Sequence, residues 1–166
     1  MENYVDFLVK KKITGGDAAK MAVVAIALVF IVASVGLWLG LASAFVVLVF
    51  GGYVAWLAIT SITREYEYVV INDHMDVDEI IAGRHRRRLC GFDFGSMEIC
   101  ASVHDNDKNA EMKRKFTKRY DAASDPNAEN ARFAVFSGEE GIGLLVFEPN
   151  EKILDAMKMY VKSKVF

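Results

Sequence analysis

Between Met21 and Thr63 the chain contains no Asp, Glu, Lys, Arg or His. That absence excludes an ordinary soluble segment, in which charges make up about a quarter of the residues. A membrane-spanning helix needs about 20 apolar residues, because about 30 Å of hydrocarbon is crossed at about 1.5 Å per residue. The uncharged run, bracketed by Lys20 and Arg64, is about twice that long. One helix of that length would reach about 65 Å, more than tilt absorbs, so two spans with a tight turn between them fit. The missing charges also remove the groups on which proton relays, ion pathways and transporter sites depend, and the run reads as an anchor. Its apolar core exceeds that of a signal peptide, and the small triplet Ala42-Ser43-Ala44 lies deep inside it, so the segment is read as retained.

Other scarcities narrow the remainder. Two cysteines, Cys90 and Cys100, have neither the number nor the spacing of a disulfide framework and suit a reducing compartment. Two prolines and no Ser- or Gln-rich tract leave little that reads as disordered. A net charge of −2 lacks the basic excess usual in nucleic-acid binders, and no nucleic-acid partner is expected.

What is there divides into three parts. Residues 1–16 carry Tyr4, Val5, Phe7, Leu8 and Ile13 beside Lys10, Lys11 and Lys12, and the 3–4 spacing predicts a short amphipathic helix in the headgroup layer. Thr14-Gly15-Gly16-Asp17 ends it, with Asp17 or Thr14 as the next N-cap. Residues 17–63 form the membrane hairpin, with spans near 18–37 and 41–62 and a turn marked by Gly36, Gly40 and Ser43. Small residues such as Ala33, Gly36, Ala44, Gly51 and Gly52 allow the spans to pack closely. The turn carries no Lys or Arg, whereas the flanks carry Lys10, Lys11, Lys12, Lys20 and Arg64, which predicts a multi-pass protein of the cell (inner) membrane with both termini cytoplasmic.

Residues 64–166 form the third part, which starts without a linker. Glu65–Ile71 alternates as a strand, Asn72-Asp73-His74 is turn chemistry, and Met75–Ile81 returns as a hairpin partner. Arg86–Phe92 is a third strand, and the stretch from Phe94 to Tyr120 stays ambiguous. Within that stretch Met112, Phe116 and Tyr120 suit a helical face, although Phe116 and Tyr120 equally fit a short strand. Two strands, Arg132–Ser137 and Ile142–Phe147, flank a turn at 138–141. A helix from about Asn150 to Lys162 follows, opened by Pro149, with Ile153, Leu154, Met157, Tyr160 and Val161 on one face. Strands closed by one terminal helix suggest a small half-open barrel.

The segments REYEYVVINDHMDVDEIIA and LLVFEPNEKILDAMKMY, with the basic third strand, resemble bacterial pleckstrin-homology-like domains behind a two-helix membrane hairpin. The likeness is to a family of small Gram-positive bacterial membrane proteins and extends to the opening MENYVDFLVKKK. It implies an α+β membrane protein whose cytoplasmic PH-like part is a seven-stranded, strongly bent antiparallel sheet or half-barrel capped by a C-terminal helix. It carries no active site over.

Arg84-His85-Arg86-Arg87-Arg88 is the densest cluster. Packed guanidinium groups suit phosphate, and a basic cluster near anionic lipid gains about 1 kcal/mol per residue. In a strand Arg86 and Arg88 share one side and Arg87 takes the other. The preceding Asp76, Asp78 and Glu79 can pair across the hairpin, so the cluster is either a contact for lipid or partner, or a neutralised solvated face. The candidate contact residues are Arg84, Arg86, Arg87 and Arg88, with Lys10, Lys11 and Lys12. Lys113-Arg114-Lys115 with Lys118-Arg119 reads as a solvated face. His85, Cys90, Cys100 and His104 lack zinc-site spacing, and the cysteines read as small core residues. Gly138–Gly143 lacks the Lys of a phosphate loop, and no nucleophile motif occurs.

These readings predict no enzyme, no cofactor and no metal. They predict a membrane-anchored adaptor that presents its domain to anionic headgroups, a protein partner or another copy of itself. The alternative is a structural or accessory subunit whose hairpin packs in a larger membrane complex.

Overall fold

A computed structural model of the chain describes residues 4–138 and 141–166. It divides into two compact units: residues 13–64 with 81–83, and the remainder.

The first unit is helical. Helix α1 spans Gly15–Leu39 and α2 spans Leu41–Thr60. Thr14 is the cap of α1, in a reciprocal arrangement: its hydroxyl accepts from the Asp17 N–H at 3.3 Å, while the Asp17 carboxylate accepts from the Thr14 N–H at 3.3 Å. The turn between the helices is Gly40 alone, at φ 87° and ψ 170°, a conformation essentially reserved for glycine. Both helices are long and apolar enough to cross a membrane. Their small residues are used against each other. A Cβ on Gly36 would meet the Ala44 methyl at 3.3 Å, and one on Gly51 would meet Leu28 at 2.7 Å. Hydroxyls inside the helices turn back onto their own backbone: Ser34 donates to the Phe30 carbonyl and Thr60 to that of Trp56.

The second unit contains two four-stranded sheets. The first runs β1 (Tyr4–Lys10), β2 (Arg64–Ile71), β3 (His74–Ile81) and β4 (His85–Asp93) in that order. The second has the order β5 (Met97–Ser102), β7 (Arg132–Gly138), β8 (Gly141–Phe147), β6 (Lys118–Asp121). A four-residue helix, α3, covers Asn109–Met112, and α4 covers Glu151–Val161. The fold is therefore α+β: two long apolar helices, a sheet domain and a C-terminal helix.

Alternation decides which side chains enter the core. Tyr66, Tyr68 and Val70 of β2 and Met75 and Val77 of β3 point inward at every second position. Phe133, Val135, Leu144 and Val146 feed a second, smaller core, which Met112 and Phe116 cover from outside. Strands β7 and β8 are thus buried on both faces, which is why they read as continuous apolar runs. Helix α4 is capped by the Asn150 side chain, which accepts from the Ile153 N–H at 2.9 Å, and it buries Ile153, Ala156 and Met157. Pro149 precedes the cap instead of opening the helix.

Three sequence-based expectations change. Residues 4–10 are a strand, not an amphipathic helix: β1 pairs antiparallel with β2 from Tyr4↔Ile71 to Lys10↔Glu65. Val9 is buried and Val5 and Phe7 pack on the core, so this stretch belongs to the sheet domain. Among the described residues the strands number eight where the resemblance implies seven, and they are not all antiparallel, because the short β6 pairs parallel with β8. The expected helical face of Met112, Phe116 and Tyr120 is split, with Met112 and Phe116 on the smaller core and Tyr120 on β6 against the larger one. The two central residues of the turn expected at 138–141 lie outside the described residues.

Candidate binding site

The two sheets each end in an edge strand, β4 in one and β6 in the other. Between them lies a cleft of about 590 Å³, walled on one side by the whole run Arg88–Asp93 and on the other by Thr117, Lys118 and Tyr120. Ser137 and Gly138 of β7 and Gly141–Gly143 of β8 also line it.

Glycines shape this cleft. Gly143 leaves no Cβ on β8, and one built there would meet the Phe136 ring at 2.6 Å. The ring therefore lies flat across the strand, stacked on Phe92 at 4.3 Å and 12° and on Tyr120 at 6.4 Å and 19°. These three aromatics form the floor. Gly141, at φ 111°, leaves space that Thr117 fills at the start of β6.

The rim is charged. His74 Nδ1 lies 2.6 Å from Asp93 and its Nε2 lies 3.3 Å from Asp76. The Asp93 hydrogen bond raises the His74 pKa above its ordinary value; burial opposes it in part and Asp76 adds to it. Arg88 Nη2 donates to Asp76 and sits 3.5 Å from His74 Nε2.

The basic strand divides as alternation requires. Arg86 reaches Glu67 and lies 3.7 Å from Asp78, and Arg88 reaches Asp76. Arg87 turns to the other side and donates at 2.7 Å to Glu79, which is 2% exposed. Arg84 is exposed in the turn before β4. Lys10 pairs with Glu65 at 3.2 Å, and Lys11 and Lys12 are exposed beyond the end of β1. The structure thus brings Arg88 to the cleft, while the cluster Lys10–Lys12 falls elsewhere. Cys90 and Cys100 are buried, and burial pushes both thiols up to about 12.

Sequence reasoning missed the cleft. In the sequence Phe92 and Phe136 read only as strand residues and Tyr120 as part of a helical face or short strand, and the second basic run reads as a solvated face, although Lys118 lines one wall. The available signal was the spacing of Gly141 and Gly143 in a strand, which marks close approach of other groups.

A family model described as Bacterial PH-like domain (DUF6106) matches residues 1–166. The chain belongs to this family. The helical pair lies in sequence between the first two strands of the sheet unit. No curated protein and no solved structure matches the chain. In this PH-like domain the described residues bring no group of three metal-ligating side chains together.

Proposed function

We propose that this protein is a membrane-anchored, non-enzymatic binding module. The hairpin α1–α2 holds the PH-like domain at the cytoplasmic face of the cell membrane, and the cleft between β4 and β6 takes the ligand. The observation that carries this reading is the pairing of β1 with β2. Residues 4–10 precede the helices, residues 65–71 follow them, and the two segments share one ladder. Both must lie on one side of any bilayer the helices cross, so the crossings are even in number. The uncharged turn at Gly40 and the lysines of the N-terminal flank support a cytoplasmic side for that ladder. The reading of the hairpin as a packing element of a larger complex is less supported, because Gly36, Ala44 and Gly51 are already used between α1 and α2.

Single cysteines test this in intact cells with a membrane-impermeant maleimide. A cysteine at position 2 or 166 is expected to stay unlabelled, and Leu39→Cys beside the turn to label. Cys90 and Cys100 are buried and protonated, which keeps the background low. Labelling at position 2 or 166 overturns the orientation. Release of the protein by alkaline carbonate overturns the anchor.

A further inference from the structure

Two basic runs far apart in sequence each send one residue to the same cleft, Arg88 from the first and Lys118 from the second. One is Arg84–Arg88 leading into the β4 wall, and the other is Lys113–Arg119 leading into and along β6. Arg88, Lys118 and His74 line it with Asp93, and Asp76 stands behind them on Arg88 and His74. We propose that the cleft binds an extended peptide in which acidic and apolar residues alternate, added as a strand to the edge of β4. This rests on the reading of the cleft as the ligand site.

Three observations converge on that ligand. First, every residue from Arg88 to Asp93 borders the cleft. Side chains of a strand alternate between faces, so an unbroken run means that the backbone edge itself forms the wall. An edge strand offers unpaired N–H and C=O groups, and this run gives about 20 Å of them, the length of a peptide of about six residues. Second, alternate residues of an added strand point to opposite faces. One set meets the aromatic floor of Phe92, Phe136 and Tyr120. The other meets the basic rim, where Arg88 uses Nη2 on Asp76 and keeps further guanidinium donors for a second carboxylate. Third, the outer face of the first sheet is unsuited to an anionic membrane surface. There Glu67, Asp76 and Asp78 stand beside Arg86 and Arg88 and would be pressed against like charge. A peptide added at the strand edge meets only the end of that face, where Arg88 lines the cleft with Lys118 on the facing wall.

The test uses the full chain in nanodiscs of neutral lipid, with fluorescence anisotropy of three labelled heptapeptides. One alternates Glu with Val and Phe, the second has Lys in place of Glu, and the third is the acidic peptide with two adjacent N-methylated bonds. Because donors face β4 at every second residue, the double methylation must remove at least one of them. The acidic peptide is expected to bind, and the other two to bind at least tenfold more weakly. Arg88→Glu and Lys118→Glu, one on each wall, are each expected to weaken the acidic peptide at least fivefold while cooperative thermal unfolding is retained. Equal binding of all three peptides, no binding of the acidic one, or indifference to both substitutions overturns the proposal. Capture of the nanodiscs on anionic vesicles that both substitutions abolish, without peptide binding, assigns the cleft to lipid and also overturns it. Neither result touches the anchor, which stands or falls on the labelling and carbonate experiments.

Discussion

Tyr68 concentrates several roles in one side chain. It is fully buried, its ring meets Phe147 edge-on at 5.8 Å, and its hydroxyl donates to the Ala122 carbonyl at 2.6 Å while accepting from the Glu148 N–H at 3.2 Å. Burial holds its phenol well above the ordinary range, so it stays neutral and keeps the donor. Tyr68→Phe preserves the ring but orphans both backbone groups, and is expected to cost about 1–3 kcal/mol in chemical denaturation. The arginines of β4 are expected to separate in the same measurement. Arg86→Ala breaks an exposed pair and should cost under about 1 kcal/mol. Arg87→Ala strips a donor from the buried Glu79 and should cost about 1–3 kcal/mol, the larger effect despite the same chemistry. His74 gives a pH signature. Its folded pKa is raised, so its contribution is complete below about 6.5, the unfolded value, and fades as pH rises through the folded value. NMR titration should place its midpoint above about 6.5, and Asp93→Asn should bring it down, because Asp93 is the larger cause. A midpoint unmoved by Asp93→Asn would refute that cause.

Among the elements, legibility followed locality. The two helices were plain because the absence of charge over a long run has one physical solution. Strands β2 and β3 were plain because alternation and the Asn72 turn agree; Asn72 does adopt φ 56°, which asparagine tolerates. Strand β1 was misread because apolar residues at 4, 5, 7, 8 and 9 satisfy both helical and strand periods. Only its partner, β2, beyond the helical pair, decides between them. Strand β6 was ambiguous for a related reason: four residues held by a parallel partner carry almost no local signal. The cleft inherits that obscurity, since one of its walls is β6. Two glycines test the elements they serve. Gly143→Ala drives a methyl into the Phe136 ring and is expected to cost about 1–3 kcal/mol and to disturb the stacked floor, visible as ring-current changes at Phe92 and Tyr120. Gly40→Val places a branched side chain at φ 87° and should weaken the tight turn by at least about 1–2 kcal/mol. Cross-linking between Gly36→Cys and Ala44→Cys, which face each other across that turn, reports the loss.

For the whole molecule, the sheet domain is closed by a segment that lies before the helices. Removing residues 1–12 should therefore do more than delete a flank. It strips β2 of its partner on one edge, leaving only β3, and uncovers Tyr68, whose ring lies 6.3 Å from Phe7. The expected outcome is loss of cooperative unfolding of the sheet domain, with helix content retained in detergent. Retained cooperativity would mean that β1 is an accessory strand.

The same ladder sets a timetable for biosynthesis. Strand β1 is made before the helices, yet its hydrogen-bonding partner leaves the ribosome only after both helices have been synthesised. At about 5–20 residues per second the wait is on the order of 3–12 s. During it β1 is an unpaired apolar strand. With the hairpin anchored as proposed, the sheet cannot close until the second helix has returned the chain to the side it started from, and membrane insertion comes before domain folding. A hairpin that stalls or inverts would leave the domain without its first strand, so completion of the sheet acts as a check on correct insertion.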